Sequence, residues 1–182
     1  MSQAIGLIEL SSVASGFQVA DAMLKAANVD LLLSRSICSG KYMVLVGGEV
    51  SGVQSAVDSG SAIAHGTLID TFVIPSVHAD VFRALGRSEL PNVGDALGVL
   101  ESFSVASLIE GADAAAKAAS VTLIEIRLAM ALGGKAFVTM TGDVASVEAA
   151  VEAGAQLIGK RGLLVNSVVI PRPHQDVYKE VV

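Results

Sequence analysis

The hydrophobic positions in the first half of the chain switch between strand-like runs and helix-like spacing. Residues 4–10 form a short, mostly apolar run that predicts a strand. Residues 16–28 follow, with apolar positions recurring at a spacing of about 3.6, which predicts a helix packed on a sheet. The apolar face of this helix is predicted to comprise Val13, Phe17, Ala20, Leu24 and Ala27.

A hairpin is predicted next. Residues 29–35 and 41–47 are rich in aliphatic side chains and are typical of strands. Between them, residues 36–40 read Ser-Ile-Cys-Ser-Gly, and small polar residues with glycine favour a turn. The two strands are therefore expected to pair with each other.

A second helix and a last strand complete the pattern. Valines three and four positions apart, from Val50 to Val57, mark the helix, and Gly60 is expected near its end. Residues 68–74 predict a strand, which Pro75 halts because proline cannot donate to a ladder. The order strand, helix, two strands, helix, strand predicts a ferredoxin-like α+β domain with flanking helices on an antiparallel sheet.

The second half of the chain repeats the first. Residues 4–9 recur as 96–101, an offset of 96 − 4 = 92, and gaps at loops raise this offset later in the chain. Near the end, His78 corresponds to His174, each four residues after an Ile. We therefore predict two tandem domains, residues 1–90 and 91–182, with a polar linker over residues 86–94.

Composition changes this picture in one respect. The chain has 182 residues, 52% hydrophobic and only 16% charged, with a mean hydropathy of +0.63. Its apolar runs fall far short of the 18–20 residues, roughly, that span a membrane. The N-terminus also lacks the features of a signal peptide. We expect no membrane partner and an obligate oligomer that covers apolar surface.

Charge and cysteine content narrow the partners further. The formal net charge is −6 and lysine and arginine do not cluster, so a nucleic-acid partner is not expected. The single cysteine, Cys38, excludes an intrachain disulfide framework and is typical of a reducing cytosol. No catalytic dyad or triad is readable, and we do not expect an enzyme.

Four spaced stretches of the second copy carry a family resemblance. They are Ala-Leu-Gly-Val-Leu-Glu at 96–101, Ala-Asp through Lys-Ala-Ala at 112–119, Gly-Asp-Val at 142–144, and Val-Ile-Pro-Arg-Pro-His at 169–174. Together they resemble the bacterial microcompartment (BMC) shell-protein domain. Both copies match along nearly their whole length, as in the tandem-domain class of this family.

The resemblance implies an assembly. Tandem members form homotrimers whose six domains imitate a hexagonal plate with a central pore. The plates tile with other BMC shell proteins into a shell around enzymes in the cytoplasm. Matching residues at the plate edges are Lys25, Lys117 and Arg172, and the first copy has Ser76 where the second has Arg172.

The resemblance also implies a pore chemistry. The loop around Cys38 is similar to the first-domain pore loop of tandem members in which three subunits each donate one Cys to a 4Fe–4S cluster. One Cys cannot hold a cluster within one chain, but a threefold axis turns it into three ligands. The remaining pore-loop residues are Ser36, Ile37, Ser39 and Gly40 in the first copy and Met130, Ala131, Leu132, Gly133 and Gly134 in the second.

Several alternatives stay open at this point. Cys38 could be a structural thiol, and the pore could be open or gated for metabolites without a cluster. A cluster would serve electron transfer across the shell or delivery to an enclosed enzyme, and its partner would be a redox protein or that enzyme. We interpret His78 and His174 as structural, and likewise the carboxylates Glu9 and Glu101, which recur at equivalent positions.

Overall fold

The structure, a computed structural model, describes residues 4–86, 94–129 and 133–179. The chain divides into two compact units, which meet in sequence at Val77 and His78. The predicted boundary at residue 90 follows the repeat, whereas the packing assigns residues 78–86 to the second unit.

The first unit contains the predicted order of elements. Its strands and helices are β1 (Ala4–Leu10), α1 (Val13–Ala26), β2 (Asp30–Ile37), β3 (Lys41–Gly48), α2 (Val50–Ala64) and β4 (Leu68–Ile74). The four strands form an antiparallel sheet in the order β2-β3-β1-β4, which is the ferredoxin-like order. Helices α1 and α2 pack on one face of this sheet.

The second unit repeats this layout and adds two short helices. Its elements are α3 (Ala79–Leu85), β5 (Ala96–Ser102), α4 (Val105–Ala118), β6 (Thr122–Leu128), β7 (Ala136–Gly142), α5 (Val144–Lys160), β8 (Leu164–Pro171) and α6 (Gln175–Lys179). The sheet order is β6-β7-β5-β8, again antiparallel. The predicted fold class of two ferredoxin-like domains is confirmed.

Helix α1 begins earlier than predicted and buries a different face. The Ser12 side chain accepts a hydrogen bond from the Ser15 N–H and starts the helix at Val13. The side chains packed into the core belong to Val19, Ala20 and Met23, while the predicted face containing Phe17 is exposed over much of its area. The prediction of the buried face was therefore wrong except at Ala20.

Gly60 lies near the end of the second helix, as expected, about one turn before its last residue, Ala64. A Cβ atom at Gly60 would lie 2.6 Å from Ile8 Cδ1 and 2.7 Å from Met23 Cγ. The glycine therefore serves close packing of α2 on β1 and α1, which outweighs its poor helix propensity.

Helices α3 and α6 lie where the hydrophobic pattern predicts no element. They follow the equivalent His78 and His174, whose ring Nδ1 atoms accept the backbone N–H two residues later, at 3.3 Å in both copies. A histidine thus caps each helix, in line with the structural interpretation of both residues.

Candidate functional site

The candidate site is the tip of the β2–β3 hairpin. Strand β2 ends at Ile37, which pairs with Lys41, so the connection is only the short 3₁₀ turn Cys38–Gly40. Ser36 and Ile37, predicted as loop, belong to the strand, and Ile37 is buried. The described turn is therefore tighter than the predicted loop.

The turn has a left-handed backbone at two successive residues. Ser39 has φ of 67° and Gly40 has φ of 71°. Glycine adopts this conformation without the steric cost that serine bears. A Cβ at Gly40 would find no atom within 4 Å, so there is open space beside this glycine. Cys38 lies in this turn, partly buried and outside any disulfide.

The base of the hairpin is fixed on helix α1 by Tyr42. Its hydroxyl lies 3.0 Å from the Ser34 hydroxyl across the hairpin, and its ring centroid lies 5.3 Å from that of Phe17. The ring packs where a side chain at Gly16 would stand, with Cγ only 2.3 Å from an added Cβ. Tyr42 therefore limits motion of the strand that leads out of the turn.

An ion pair adjoins the turn on the other face of the sheet. Lys41 Nζ donates to Glu9 Oε1 at 2.8 Å, and the Glu9 side chain is 1% exposed. The second copy has the equivalent pair, Lys135 and Glu101, with Nζ and Oε1 2.5 Å apart and Glu101 29% exposed. The two glutamates, interpreted as structural, thus each bind a lysine that follows the turn: Lys41 is the first residue of β3, and Lys135 directly precedes β7.

The second-copy loop is described only in part. Met130, Ala131 and Leu132, all predicted to line the pore, lie outside the described residues. Gly133 and Gly134 have φ of 61° and 88°. They therefore form a turn at the position that corresponds to the Cys38 turn.

The predicted edge residues lie at the ends of three elements. Lys25 and Lys117 occupy the last turns of α1 and α4, each in an ion pair with an aspartate one turn earlier. Arg172 follows β8 with φ of 49°, and its backbone N–H donates to the Asp95 carbonyl at 2.7 Å. Their assignment to plate edges stays a prediction.

Two further searches concern the described part of the chain. Among residues 4–86, 94–129 and 133–179, no three His, Cys, Asp or Glu side chains stand together as one metal site. Nor does any helix within these ranges combine the length and the apolar character needed to cross a membrane.

Sequence reasoning did not identify Lys41 and Tyr42 as parts of the site. The repeat held a signal for Lys41, since Gly-Lys recurs at residues 40–41 and 134–135 beside the recurring glutamates. Tyr42 corresponds to Ala136, so the repeat held no such signal for it.

Comparison with known proteins supplies the family. The profile of the BMC domain matches residues 4–77 and again 96–173. Over 182 residues the chain is 43% identical to the bacterial microcompartment shell protein PduT of Citrobacter freundii, covering 100% of this chain and 99% of that protein. This confirms the expected resemblance to the bacterial microcompartment shell proteins, with the domain present twice in the chain.

Two further relatives fit the same assignment. The shell protein PduA of Citrobacter freundii is 39% identical over 87 residues, which cover 47% of this chain and 94% of PduA. A microcompartments protein from Desulfitobacterium hafniense DCB, known from its crystal structure, is 50% identical in sequence to this chain. The match covers 98% of this chain and 99% of that protein's chain, and the two structures superpose with a TM-score of 0.92. The chain belongs to the bacterial microcompartment shell-protein family and carries two BMC domains in tandem.

Proposed function

We propose that this shell protein is a homotrimeric, pseudohexameric tile of a microcompartment in the cytoplasm, with a 4Fe–4S cluster in its central pore. Three Cys38 thiolates, one from each subunit, would hold the cluster. The cluster would transfer electrons across the shell or be delivered to an enzyme inside. Other shell proteins would join the tile at its edges.

The position of Cys38 carries the cluster proposal. Iron–sulfur clusters bind thiolates, and the chain contains one cysteine. That cysteine lies in a three-residue turn with open space beside Gly40. The base of the hairpin is held by Tyr42 and Lys41. Three copies about an axis would bring three thiolates together and leave one iron for solvent, a small molecule or another protein.

A difference between the two copies supports assembly with other copies of the chain. Phe17 is 65% exposed and Val13 38%, whereas their counterparts Ile109 and Val105 are fully buried. Three more apolar pairs share this contrast, the first member exposed and the second buried: Leu24 and Ala116, Leu31 and Leu123, Leu32 and Ile124. An exposed apolar face of this size indicates a partner surface.

The second unit shows which segment fits such a face. There, α3 packs against α4 and β6. Asp113 Oδ1 accepts the backbone N–H of His78 at 2.7 Å, and Asp80 Oδ2 accepts that of Leu123 at 3.4 Å. Asp80 is 4% exposed, so this contact is well shielded from water.

The first unit has the matching residues in exposed positions. Asp21 corresponds to Asp113 and Leu31 to Leu123. In the second unit, His174 before α6 and Asp176 within it correspond to His78 and Asp80. We infer that α6 of one chain covers α1 and β2 of the neighbouring chain in the trimer and makes the same two hydrogen bonds there. Such a head-to-tail contact between unlike surfaces forms a ring when its rotation closes.

A second candidate function is a metabolite pore without a cluster. It is favoured by the open space at both turns, since a Cβ at Gly40 or at Gly133 would meet no atom within 4 Å. Ser39 and the glycine backbone would then select solutes by size and polarity.

Iron and sulfide analysis, absorbance and EPR on anaerobically purified protein distinguish the two functions, with Cys38→Ser as the matched variant. About four irons per three chains, absent from Cys38→Ser while the trimer persists, is the expected result. Iron signals that survive in Cys38→Ser contradict the ligand assignment. Absence of iron after anaerobic reconstitution of the wild type favours the metabolite pore.

A further inference from the structure

The charged residues on the sheet face beside the Cys38 turn differ between the two copies in arrangement and in burial. Strand β1 places Glu9 opposite Met43 on one side and opposite Asp70 on the other. Lys41 lies two residues before Met43 and therefore emerges on the same face of the sheet. Arg35 lies opposite Met43 on its other side and shares this face, which thus carries two carboxylates and two cationic side chains.

The second copy carries the same number of charges in a different arrangement, because Arg127 lies opposite Phe137 and binds Glu125, which stands at the position of Leu33. Glu101 lies opposite Phe137 and Asn166, so an amide stands where the first copy has Asp70. Its ion-pair partner Lys135 is 38% exposed, compared with 25% for Lys41. The copy with the cysteine therefore has a second carboxylate, Asp70, directly beside its glutamate, and a less hydrated ion pair.

Because the Glu9 carboxylate is buried, it depends on Lys41 for compensation of its charge. Among the residues that the structure describes, Glu9 Oε2 has no hydrogen-bond partner, and the whole side chain is 1% exposed. Removing one partner of a buried pair leaves the other charge uncompensated, and water screens it poorly. Lys41 is three residues after Cys38 and pairs with Ile37, the residue directly before Cys38. An uncompensated charge on Glu9 would therefore lie at the base of the Cys38 turn.

We propose that the Glu9–Lys41 ion pair, with Asp70 beside it, sets the electrostatic potential at Cys38 and through it the reduction potential of the bound cluster. The redox part of this inference rests on the proposed function. Adding an electron makes a cluster more negative, and nearby charge is one of the factors that set cluster potentials. Glu9, Lys41 and Asp70 are thus positioning and tuning residues, while Cys38 alone would touch the iron.

The first test measures the midpoint potential of the cluster by EPR-monitored titration. Glu9→Gln and Asp70→Asn each remove a negative charge and are expected to raise the potential, while Lys41→Met is expected to lower it. Glu49→Gln is the matched control, because Glu49 follows the far end of β3. At about 3.4 Å per residue it lies well beyond a Debye length of roughly 8–10 Å.

The second test needs no cluster. In iron-free protein Cys38 is the single thiol. The readout is the ratio of its reaction rates with an anionic and with a cationic methanethiosulfonate reagent. We expect the anionic-to-cationic ratio to rise in Glu9→Gln and Asp70→Asn and to fall in Lys41→Met, by on the order of twofold or more. A role limited to packing would change both rates alike and leave the ratio constant.

The two tests separate the two hypotheses. Wild-type protein without iron contradicts the proposed cluster, while a rate ratio that moves as expected still supports the electrostatic role. Ratios that stay at the wild-type value, or that shift equally in Glu49→Gln, overturn the electrostatic role. Asp70→Asn introduces the residue type present at Asn166, so it decides the question even if Lys41→Met fails to fold.

Discussion

Asp113 accepts the backbone N–H of His78 at 2.7 Å and thereby ties the start of α3 to helix α4. The same carboxylate pairs with Lys117 Nζ at 2.5 Å and is nearly buried. Its counterpart Asp21 pairs with Lys25 at 2.7 Å but is 62% exposed. The repeated aspartate thus contacts another segment of its own unit in the second copy, whereas in the first copy it is largely exposed to solvent.

Replacing Asp113 should therefore affect the fold more than replacing Asp21. Asp113→Ala leaves the His78 N–H without its acceptor, and we expect a loss of about 1–3 kcal/mol in the free energy of unfolding. Chemical denaturation measures this loss. Asp21→Ala is the matched control, with a smaller effect on unfolding at low protein concentration; equal losses would contradict the difference between the copies.

Phe17 should matter for association rather than for folding. Because its side chain is largely exposed within one chain, Phe17→Asp is expected to weaken the trimer while the circular dichroism spectrum stays unchanged. Sedimentation velocity over a range of concentrations measures the shift toward monomer. Ser55→Asp, at an exposed position of α2, provides a comparison on the other helix of that layer. A Phe17→Asp trimer as tight as the wild type would place the contact elsewhere.

Two helical glycines should respond to alanine in opposite directions. Gly60→Ala introduces a Cβ 2.6 Å from Ile8 Cδ1, and we expect destabilisation by about 1–3 kcal/mol. Gly159→Ala lies in α5 with no atom within 4 Å of the added Cβ, so its helix propensity should stabilise the protein by up to about 1 kcal/mol. Thermal unfolding measures both changes, and stabilisation by Gly60→Ala would show that the core accepts the methyl group.

The N-cap of α5 should make a pH-dependent contribution to stability. Hydrogen bonds from the side chain and the backbone N–H of Ser146 lower the pKa of Asp143 below its ordinary value. The pKa is depressed on folding, so the contribution is complete above the unfolded pKa and is lost as the pH falls through the folded pKa.

Denaturation midpoints of wild type and Asp143→Ala, measured from pH 7 to strongly acidic pH, test this dependence. We expect the difference between the two proteins to shrink as Asp143 becomes protonated. Glu49 occupies the equivalent cap position without a side-chain cap hydrogen bond, so Glu49→Ala should show no such trend. A difference that is constant with pH would exclude the charge of Asp143 as the cause.

The edge residues make a prediction about tiling. Lys25→Ala and Arg172→Ala are expected to impair the formation of extended sheets while the trimer remains intact, because both side chains are exposed. Electron microscopy of assembled sheets, together with size-exclusion chromatography of the soluble protein, measures the two properties. Sheets that form normally in both variants would remove these residues from the edge.

The sequence predicted the order of elements well, for a physical reason. Residues within a strand or helix meet a surface of one polarity, so hydrophobic spacing alone located β1, β4 and the hairpin to within a few residues. Spacing was insufficient for α1, whose exposed side includes Phe17 and Val13. In sequence, an apolar helix face that packs on another chain has the same pattern as one that packs into the core.

The short helices α3 and α6 show a second limit. Each is shorter than two full helical turns. Hydrophobic spacing therefore covers too few residues to indicate a helix. Their histidine caps recur in the repeat, but capping by a histidine ring is not a standard helix-start signal.

The sequence by itself determined that the chain is a doubled BMC domain with one cysteine, because repeated local preferences fold each half in the same way. Only the tertiary structure decided how the copies differ. It buried Asp113 while exposing Asp21, and it left Glu9 almost without contact with water while Glu101 retained some. Burial depends on which distant segments pack on a residue, and equivalent residues in two similar stretches of sequence carry no record of that difference.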